Sequence, residues 1–321
     1  MDRAHRPTRL LRAVVLIVGA AVLPPSRLAF AQAWVAPAGS GSITVAFQGI
    51  DNTGHRLTNG SLLPDGKSRD AAIYLEAEYA FTDRFSMSVG LPFVFARYIG
   101  PGPTPGPQQP VDVCRCWQGA WQDFGVTARF NAGRGPLAVT PYLSVGVPSH
   151  GYAFRGESVV GRRLKEARLG LAVGRRLDAV SPRLSVQANY SYAIVQRVLD
   201  IPNNRSNATI EGAVLATRKL SARGSVSWQR THGGLRAGSG PPPAQGYPWG
   251  EVATLDLFTQ HDRLLRDNSF HAGASASYAL PRLDLFGSYV EYLSGTDTHA
   301  GRVFTAGISW PFEIHRRRTK P

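Results

Sequence analysis

Apolar and polar residues alternate along this chain in segments of about 9–15 residues, the length that a tilted membrane-spanning strand needs. In the segment 85–95, Phe85 and Val89 share one parity with other apolar residues, whereas Ser86 and Ser88 occupy the opposite parity. A period of two places successive side chains on opposite faces, so each segment predicts a strand with one apolar face. Twelve segments show the pattern: residues 42–50, 71–81, 85–95, 123–130, 137–147, 167–174, 183–192, 208–216, 221–229, 270–278, 283–292 and 301–312.

The closing segment, residues 301–312, ends its apolar parity with two aromatic residues, Trp310 and Phe312. A soluble antiparallel strand also alternates, but terminal aromatics are typical of the interfacial girdle of a membrane barrel. The spacing of Thr305, Gly307, Trp310 and Phe312 resembles the C-terminal assembly signal of bacterial outer-membrane barrels. The resemblance implies recognition by the barrel-assembly machinery, although here a basic tail follows the final aromatic.

Short and long connections alternate between the segments, as in outer-membrane barrels with short periplasmic turns and longer outer loops. Residues 232–267 fit this alternation only as one long outer loop, because a strand within them would leave a chain end on the wrong side. Val252, Leu255 and Phe258 recur there at roughly helical spacing and predict a short helix. We therefore predict an all-β fold, an antiparallel transmembrane β-barrel of twelve strands, closed because lipid tolerates no unpaired strand edge. A fourteen-strand barrel and a soluble, secreted β-sandwich are the alternatives.

The N-terminal region has the features of a secretory signal peptide. Basic residues such as Arg3 and Arg12 precede an apolar run at 13–23, which is shorter than the ~20 residues of a spanning helix. Ala29 and Ala31 supply a small-x-small cleavage site. An exported chain of this kind is secreted, periplasmic or an outer-membrane barrel, and the alternating segments favour the last, with membrane lipid as a partner. The expected divisions are a signal peptide at 1–31, a transmembrane barrel at 32–312 and a basic periplasmic tail at 313–321.

The formal net charge of the chain is +14 at pH 7. Part of it lies in the predicted signal peptide and in the tail, which contains Arg316, Arg317 and Arg318. The other arginines are scattered singly along the alternating segments, unlike the clustered basic face of a nucleic-acid-binding protein. We therefore predict no nucleic-acid partner.

Several stretches resemble one family of bacterial outer-membrane proteins. They are residues 79–85 and 90–92, which form a strand–turn–strand, together with 121–126, 141–148 and 294–301. The family is linked to the meta-cleavage pathway of phenol degradation and is described as transporter-like. The resemblance implies passive uptake of small, often aromatic, molecules, and it brings no catalytic motif or cofactor to this chain.

Polar and charged side chains on the parity opposite the apolar one would line the interior of such a barrel. Two interpretations stay open: these side chains tune which solutes pass, or Arg–Glu pairs merely fill and brace a narrow barrel. Side chains fill the interior of a barrel of roughly eight strands, whereas a barrel of roughly sixteen strands leaves an open channel. A twelve-strand barrel lies between these two cases. A structural or adhesin-like barrel is therefore the alternative to a transporter. The lumen-lining candidates are Glu76, Glu78, Arg129, Arg168, Arg183, Gln187, Asn189, Glu211 and Arg223.

Cys114 and Cys116 are the only cysteines of the chain. A disulfide between them, or a pair of inert thiols, is the main expectation, and a metal or redox role is the alternative. No histidine or further cysteine stands near enough in sequence to complete a metal site. We therefore predict neither a metal nor a cofactor.

Ser149–His150 and residues 297–299, Asp-Thr-His, contain the residue types of a hydrolase site. A triad needs a nucleophile, a base and an orienting acid within reach of one another. Polar residues in loops are usually solvated, so an outer-membrane hydrolase is the less favoured alternative. The chain is not predicted to be an enzyme.

Overall fold

A closed antiparallel barrel is the architecture of this chain. The computed structural model describes residues 33–63, 67–100, 112, 115–133, 136–238 and 250–314. The sheet closes because β1 (Ser40–Arg56) pairs with β3 (Ser68–Ala80) on one side and with β14 (Thr298–Glu313) on the other. The predicted signal peptide at 1–31 and the tail from residue 315 lie outside the described residues.

The strands follow one another around the barrel in chain order. Two short strands, β2 (Leu62–Leu63) and β5 (Gln118–Trp121), only extend the pairing of β1 and β4, so the closed ring has the predicted twelve strands. The other strands of the ring are β4 (Phe85–Tyr98), β6 (Asp123–Phe130), β7 (Leu137–Pro148), β8 (Glu166–Arg176), β9 (Leu184–Val195), β10 (Asn203–Leu215), β11 (Leu220–Gly233), β12 (Asn268–Ala279) and β13 (Asp284–Thr296).

The apolar parity of the strands faces outwards. Val89 and Leu171 are 39% and 43% exposed, whereas their neighbours Ser88 and Ala172, on the other parity, are 6% and 1% exposed. A soluble fold would bury such residues, so an exposed apolar face around a closed barrel is the arrangement suited to lipid. Within the described residues, the interior holds the polar parity instead of a central apolar core.

Exposed aromatic side chains gather towards both ends of the barrel wall. One group contains Phe81, Phe130, Tyr278, Trp310 and Phe312. The other group contains Phe95, Trp121, Phe124 and Trp228. Two such girdles mark the two interfaces of a membrane barrel.

The two ends of the barrel differ in their connections. At the short-turn end, a few residues join β3 to β4, β6 to β7, β8 to β9, β10 to β11 and β12 to β13. The opposite, long-loop end carries residues 57–67, 99–122, 149–165, 196–202 and 234–267. The tight connection from β13 to β14 is an exception, because only Asp297 separates the two strands. The predicted loop at 294–300 is therefore wrong: Asp297 makes the turn alone, with a left-handed φ of 55°.

Several strands run further towards the long-loop end than the alternation predicted. The predicted loop at 51–70 contributes to both β1 and β3, where Asp51 pairs with Arg69. Backbone pairing needs no apolar side chain, so it continues beyond the height at which lipid requires one. β14 likewise begins at Thr298, three residues before the predicted segment, and at its other, short-turn end it extends to Glu313, one residue past the predicted limit.

Residues 234–267, called the long loop below, contain two short helices, α1 (Leu255–Thr259) and α2 (His261–Leu264). Thr254 caps α1, because its side chain accepts a hydrogen bond from the Leu257 amide. No helix in the described ranges is long and apolar enough to cross a membrane. The prediction of one long loop with a short helix, and no strand at 252–260, is confirmed.

Candidate functional site

Two polar cavities lie inside the barrel. The cavity at the long-loop end has a volume of about 690 Å³ and includes Asp70, Arg168 and Asp267 in its lining. The cavity at the short-turn end has a volume of about 450 Å³, and Glu76 and Glu78 belong to its lining. Because inward side chains line both, the interior of the barrel is the candidate functional site.

Carboxylates outnumber basic groups in the lining of the short-turn cavity. Its lining has one arginine, Arg223, against Glu76, Glu78, Asp284 and Glu313. This part of the interior is therefore net acidic, although the chain as a whole carries a charge of +14. An acidic lining attracts cations and repels anions.

Two of the candidate arginines pair with candidate glutamates of other strands. Arg129 on β6 reaches across β4 to Glu78 on β3, whereas Arg223 and Glu211 lie on the neighbouring strands β11 and β10. Arg129 Nη1 lies 2.8 Å from Glu78 Oε1, and Arg223 Nη1 lies 3.8 Å from Glu211 Oε1. Gln187 Nε2 also donates to Glu211 Oε1 at 3.0 Å. These contacts run along the wall, so they brace it while leaving cavity space in front of it.

Three further candidates lie in separate places. Tyr142 donates to Asn189 Oδ1 at 2.9 Å, again along the wall. Arg168 pairs with Glu166 at 2.6 Å and lines the long-loop cavity. Arg183 precedes β9 and lines a shallow cavity at the short-turn end together with Thr217 and other residues of the β10–β11 turn.

The segment before β1, residues 33–39, crosses the interior at the short-turn end. Thr140 on β7 donates to the Ala33 carbonyl at 2.7 Å, and the Ala33 amide donates to Gln187 Oε1 on β9 at 3.3 Å. Ala33 is fully buried against inward alanines of β7 and β8. Since β1 lies on the far side of the ring from these strands, the segment spans the lumen and narrows this end.

The long loop closes the other end by packing into the mouth. Leu264 is fully buried against the inner side of β9 and residues of the neighbouring loops, including Leu164. A second cluster joins Val252 and Phe258 of the loop to Leu57 beyond β1. Apolar contact with nearly opposite walls holds the loop across the opening.

Ion pairs surround the long-loop cavity beneath this cap. Arg162 lies 2.9 Å from Asp267, and Arg205 pairs with Glu166. Burial works against the charged form of Asp267, but Arg162 more than offsets it and lowers the pKa of that carboxyl. Six carboxylates line the cavity, against three arginines and His299, so carboxylates outnumber the basic groups here too. The carboxylates are Asp70, Asp123, Glu157, Glu166, Asp262 and Asp267.

A histidine cluster lies at the rim of this cavity, and sequence reasoning did not find it. His55 on β1, His261 on α2 and His299 on β14 each offer a nitrogen, and these atoms lie within 4.8 Å of one another. His55 and His299 face each other across the pairing of the first and last strands. A register shift between Asn52 and Gly54 changes the parity of β1, which turns His55 inwards.

Two buried carboxylates accompany the histidine cluster. Burial raises the pKa of the Glu157 carboxyl to about 7, against the opposing attraction of His261. Burial would also raise the pKa of Asp262, but His261 and His299 hold it well below its usual range. The pocket therefore holds a firmly ionised Asp262 and a Glu157 that takes up a proton readily.

The hydrolase pieces fall into different surroundings. Ser149 and His150 are exposed neighbours, with Oγ and Nδ1 2.9 Å apart. Asp297 instead accepts from the Ala237 amide and from Thr58, which ties the β13–β14 turn to the long loop. Within the described residues the pieces do not form a triad.

Cys116 is disulfide-bonded. The other cysteine of the chain, Cys114, lies outside the described residues.

No protein-family model and no curated protein sequence matches the chain. Among solved structures, the COG4313 outer membrane channel from Pseudomonas putida F1 aligns with a TM-score of 0.65 and 12% sequence identity, covering 89% of this chain and 100% of that one. The NanC porin aligns with a TM-score of 0.48 and 8% identity, covering 84% of this chain and 98% of that one. In its fold, therefore, this chain is a twelve-strand barrel similar to a solved outer-membrane channel.

Proposed function

We propose that this chain is a bacterial outer-membrane channel through which small molecules pass passively. The observation that carries the proposal is the pair of polar cavities inside a closed barrel whose outer face is apolar. The outer face suits lipid, and the lining suits hydrated solutes. Both ends are narrowed by segments that precede or join the strands rather than by the strands themselves, so passage requires both the segment 33–39 and the long loop to shift.

The lining favours neutral and cationic solutes over anions. Carboxylates predominate in both cavities, and the Glu76 side chain is exposed within the short-turn cavity. Small aromatic compounds are the solutes implied by the resemblance to the phenol-degradation family. Phenols fit the lining in one respect, because they are neutral near pH 7 and carry a hydroxyl that donates to a carboxylate.

Conductance in planar lipid bilayers tests the channel. Purified full chain should give stepwise currents, and a salt gradient should give a reversal potential of the sign expected for cation preference. Glu76→Gln should weaken that preference, because it removes one lumen charge. Glu291→Gln is the matched control, since Glu291 lies on the outward face of β13.

Phenol added on one side of the bilayer should reduce the ionic current if it occupies the same path. A chain that inserts but never conducts would contradict the proposal. Hydrolysis of ester or peptide substrates by the same preparation would instead support the enzyme alternative.

A structural barrel is the second candidate function, and one observation favours it. The long loop buries Leu264 and Val252 completely in the mouth, which leaves the barrel capped. If the barrel is only structural, it should show no currents in the wild type and none in variants that release the loop. Currents that appear only after the loop is released would show that the cap gates a channel.

A further inference from the structure

The histidine cluster has the composition of a transition-metal site. Three imidazoles and a carboxylate suit Zn²⁺ and related divalent ions, whereas Ca²⁺ and Mg²⁺ prefer oxygen ligands alone. The three histidine nitrogens lie within 4.8 Å of one another, and His55 and His261 are almost fully buried. Neighbouring ligands of tetrahedral zinc are about 3.3 Å apart, so a contraction of at most about 1.5 Å brings these nitrogens to that spacing.

Glu157 supplies an oxygen at the same place. Its Oε2 lies 3.8 Å from His55 Nε2 and 3.7 Å from His261 Nε2. Glu157 is only 6% exposed, and Oε2 makes no hydrogen bond within the described part of the chain. An unbonded carboxylate oxygen in a buried site costs free energy unless a cation meets it.

Contacts with neighbouring groups orient the side chains of His261 and His299 and the backbone at Glu157. His261 Nδ1 lies 2.7 Å from the Phe258 carbonyl, which only accepts, so Nδ1 carries the proton and Nε2 the lone pair. The His261 Nε2 that faces Glu157 is therefore the nitrogen able to bind a metal. His299 Nε2 lies 3.0 Å from Asp262 Oδ1, a carboxylate–histidine contact of the kind that supports metal ligands. Asp112 accepts from the Glu157 amide at 2.6 Å and fixes that stretch of loop.

We propose that His55, His261, His299 and Glu157 bind one divalent transition-metal ion of the zinc class, with Asp262 orienting His299. The four ligands come from β1, α2, β14 and the loop 149–165. Bound metal therefore clips the long loop to the seam between the first and last strands. Metal binding at this site requires the closed barrel, and it does not require that the barrel conduct.

Zinc binding to purified full chain in detergent, without a polyhistidine tag, tests the site. After chelator treatment and dialysis, titration with Zn²⁺ should give one tight site per chain, and Mg²⁺ should not compete. His299→Gln and Glu157→Gln should each weaken Zn²⁺ binding by at least the roughly 10-fold that loss of a supporting contact costs. His150→Ala is the matched control, because His150 is an exposed loop histidine away from the cluster.

Protection of the long loop from proteases supplies a second measurement. Zn²⁺ should slow cleavage of the loop in the wild type and in His150→Ala, but not in His299→Gln. Heat-modifiable migration in gels confirms that each variant is a folded barrel. Absence of stoichiometric Zn²⁺ binding by the wild type, or equal binding by His299→Gln and His150→Ala, would overturn the proposal.

Discussion

The two ends of the barrel are closed in different ways. At the short-turn end, residues 33–39 cross the lumen on a few hydrogen bonds and a small cluster of alanines around Ala33. At the long-loop end, the cap is held by apolar clusters around Leu264 and Phe258, by ion pairs and by the histidine cluster. Because few contacts hold the segment 33–39, it should open at a much lower free-energy cost than the cap.

This difference assigns different roles to the two closures. A closure held by a few hydrogen bonds opens frequently, on the time scale of segment motions, and modulates current. A closure with buried leucines and ionised groups stays shut until something removes part of its packing or charge. Substitutions at the two ends should therefore differ in their effects on topology, loop docking, assembly and current.

The largest expected effect is all-or-none and concerns which end faces the outside. In a chain with both cysteines replaced by serine, Gly238→Cys in the long loop should be labelled on intact cells. Asp83→Cys, in the β3–β4 turn, should be labelled only after the cells are permeabilised. Labelling of Asp83→Cys alone on intact cells would reverse the topology.

Truncation of a buried anchor should loosen the long-loop end strongly. Leu264→Ala should cost about 2–5 kcal/mol in the docking of the long loop, because it leaves a cavity where Leu264 is fully buried. Hydrogen exchange of the loop amides measures the loss. Leu199→Ala, at a position 57% exposed in the β9–β10 loop, should leave exchange almost unchanged. If both variants exchanged alike, apolar packing would not be what holds the cap.

Loss of an aromatic at the short-turn end should act on assembly. The Phe312 ring lies over Gly41 on the partner strand β1 and stacks on Tyr79 at 6.4 Å, so it covers the seam. Phe312→Ala should reduce membrane insertion and cost at least the ~0.5–1.5 kcal/mol of an aromatic pair. Deletion of residues 315–321 should do little, since the last strand ends before them. Protease sensitivity of uninserted periplasmic protein measures the loss of insertion. If the tail deletion blocked insertion and Phe312→Ala did not, the closing strand would be misassigned.

The smallest effect should be at the segment 33–39. Thr140→Val removes the hydroxyl that donates to Ala33 and should shift the segment's equilibrium by about 0.5–1.5 kcal/mol. Bilayer recordings should show a higher open probability. Thr127→Val is the control, because the Thr127 hydroxyl donates to Ser144 on the wall and makes no bond to the segment 33–39 among the described residues. If the open probability rose equally in both variants, the segment 33–39 would not be what gates the channel.

Alternation predicted the barrel well because lipid and water impose opposite demands on successive residues of each strand. Phe85 and Ser86 carry that information locally, without reference to the rest of the chain. The long loop was predictable because the number of strands must be even for both chain ends to lie on the same side of the membrane. A strand at 252–260 would have made that number odd. Loops at the mouth face water on both sides, so the alternation no longer marks where pairing ends, as at residues 51–70.

The histidine cluster escaped prediction because it depends on three events that leave no local pattern. The bulge in β1 turns His55 inwards, and closure of the barrel places His299 opposite it. Packing of the long loop in the mouth then brings His261 to the other two histidines. The segment 33–39 was missed because it is a short apolar stretch without period. Its burial depends on Thr140 and Gln187, which are more than a hundred residues away in sequence.

The seam between β1 and β14 also sets an order in time. Asp297 bonds to Thr58 beyond β1 and to Ala237 in the long loop, and these three regions become neighbours only when the last strand meets the first. The long loop is synthesised before β14, so Leu264 can pack on β9 early, but the bond from Ala237 to Asp297 must wait until the ring shuts. Complete anchoring of the cap therefore reports completed closure, and a stalled barrel should present an incompletely anchored loop to periplasmic chaperones and proteases.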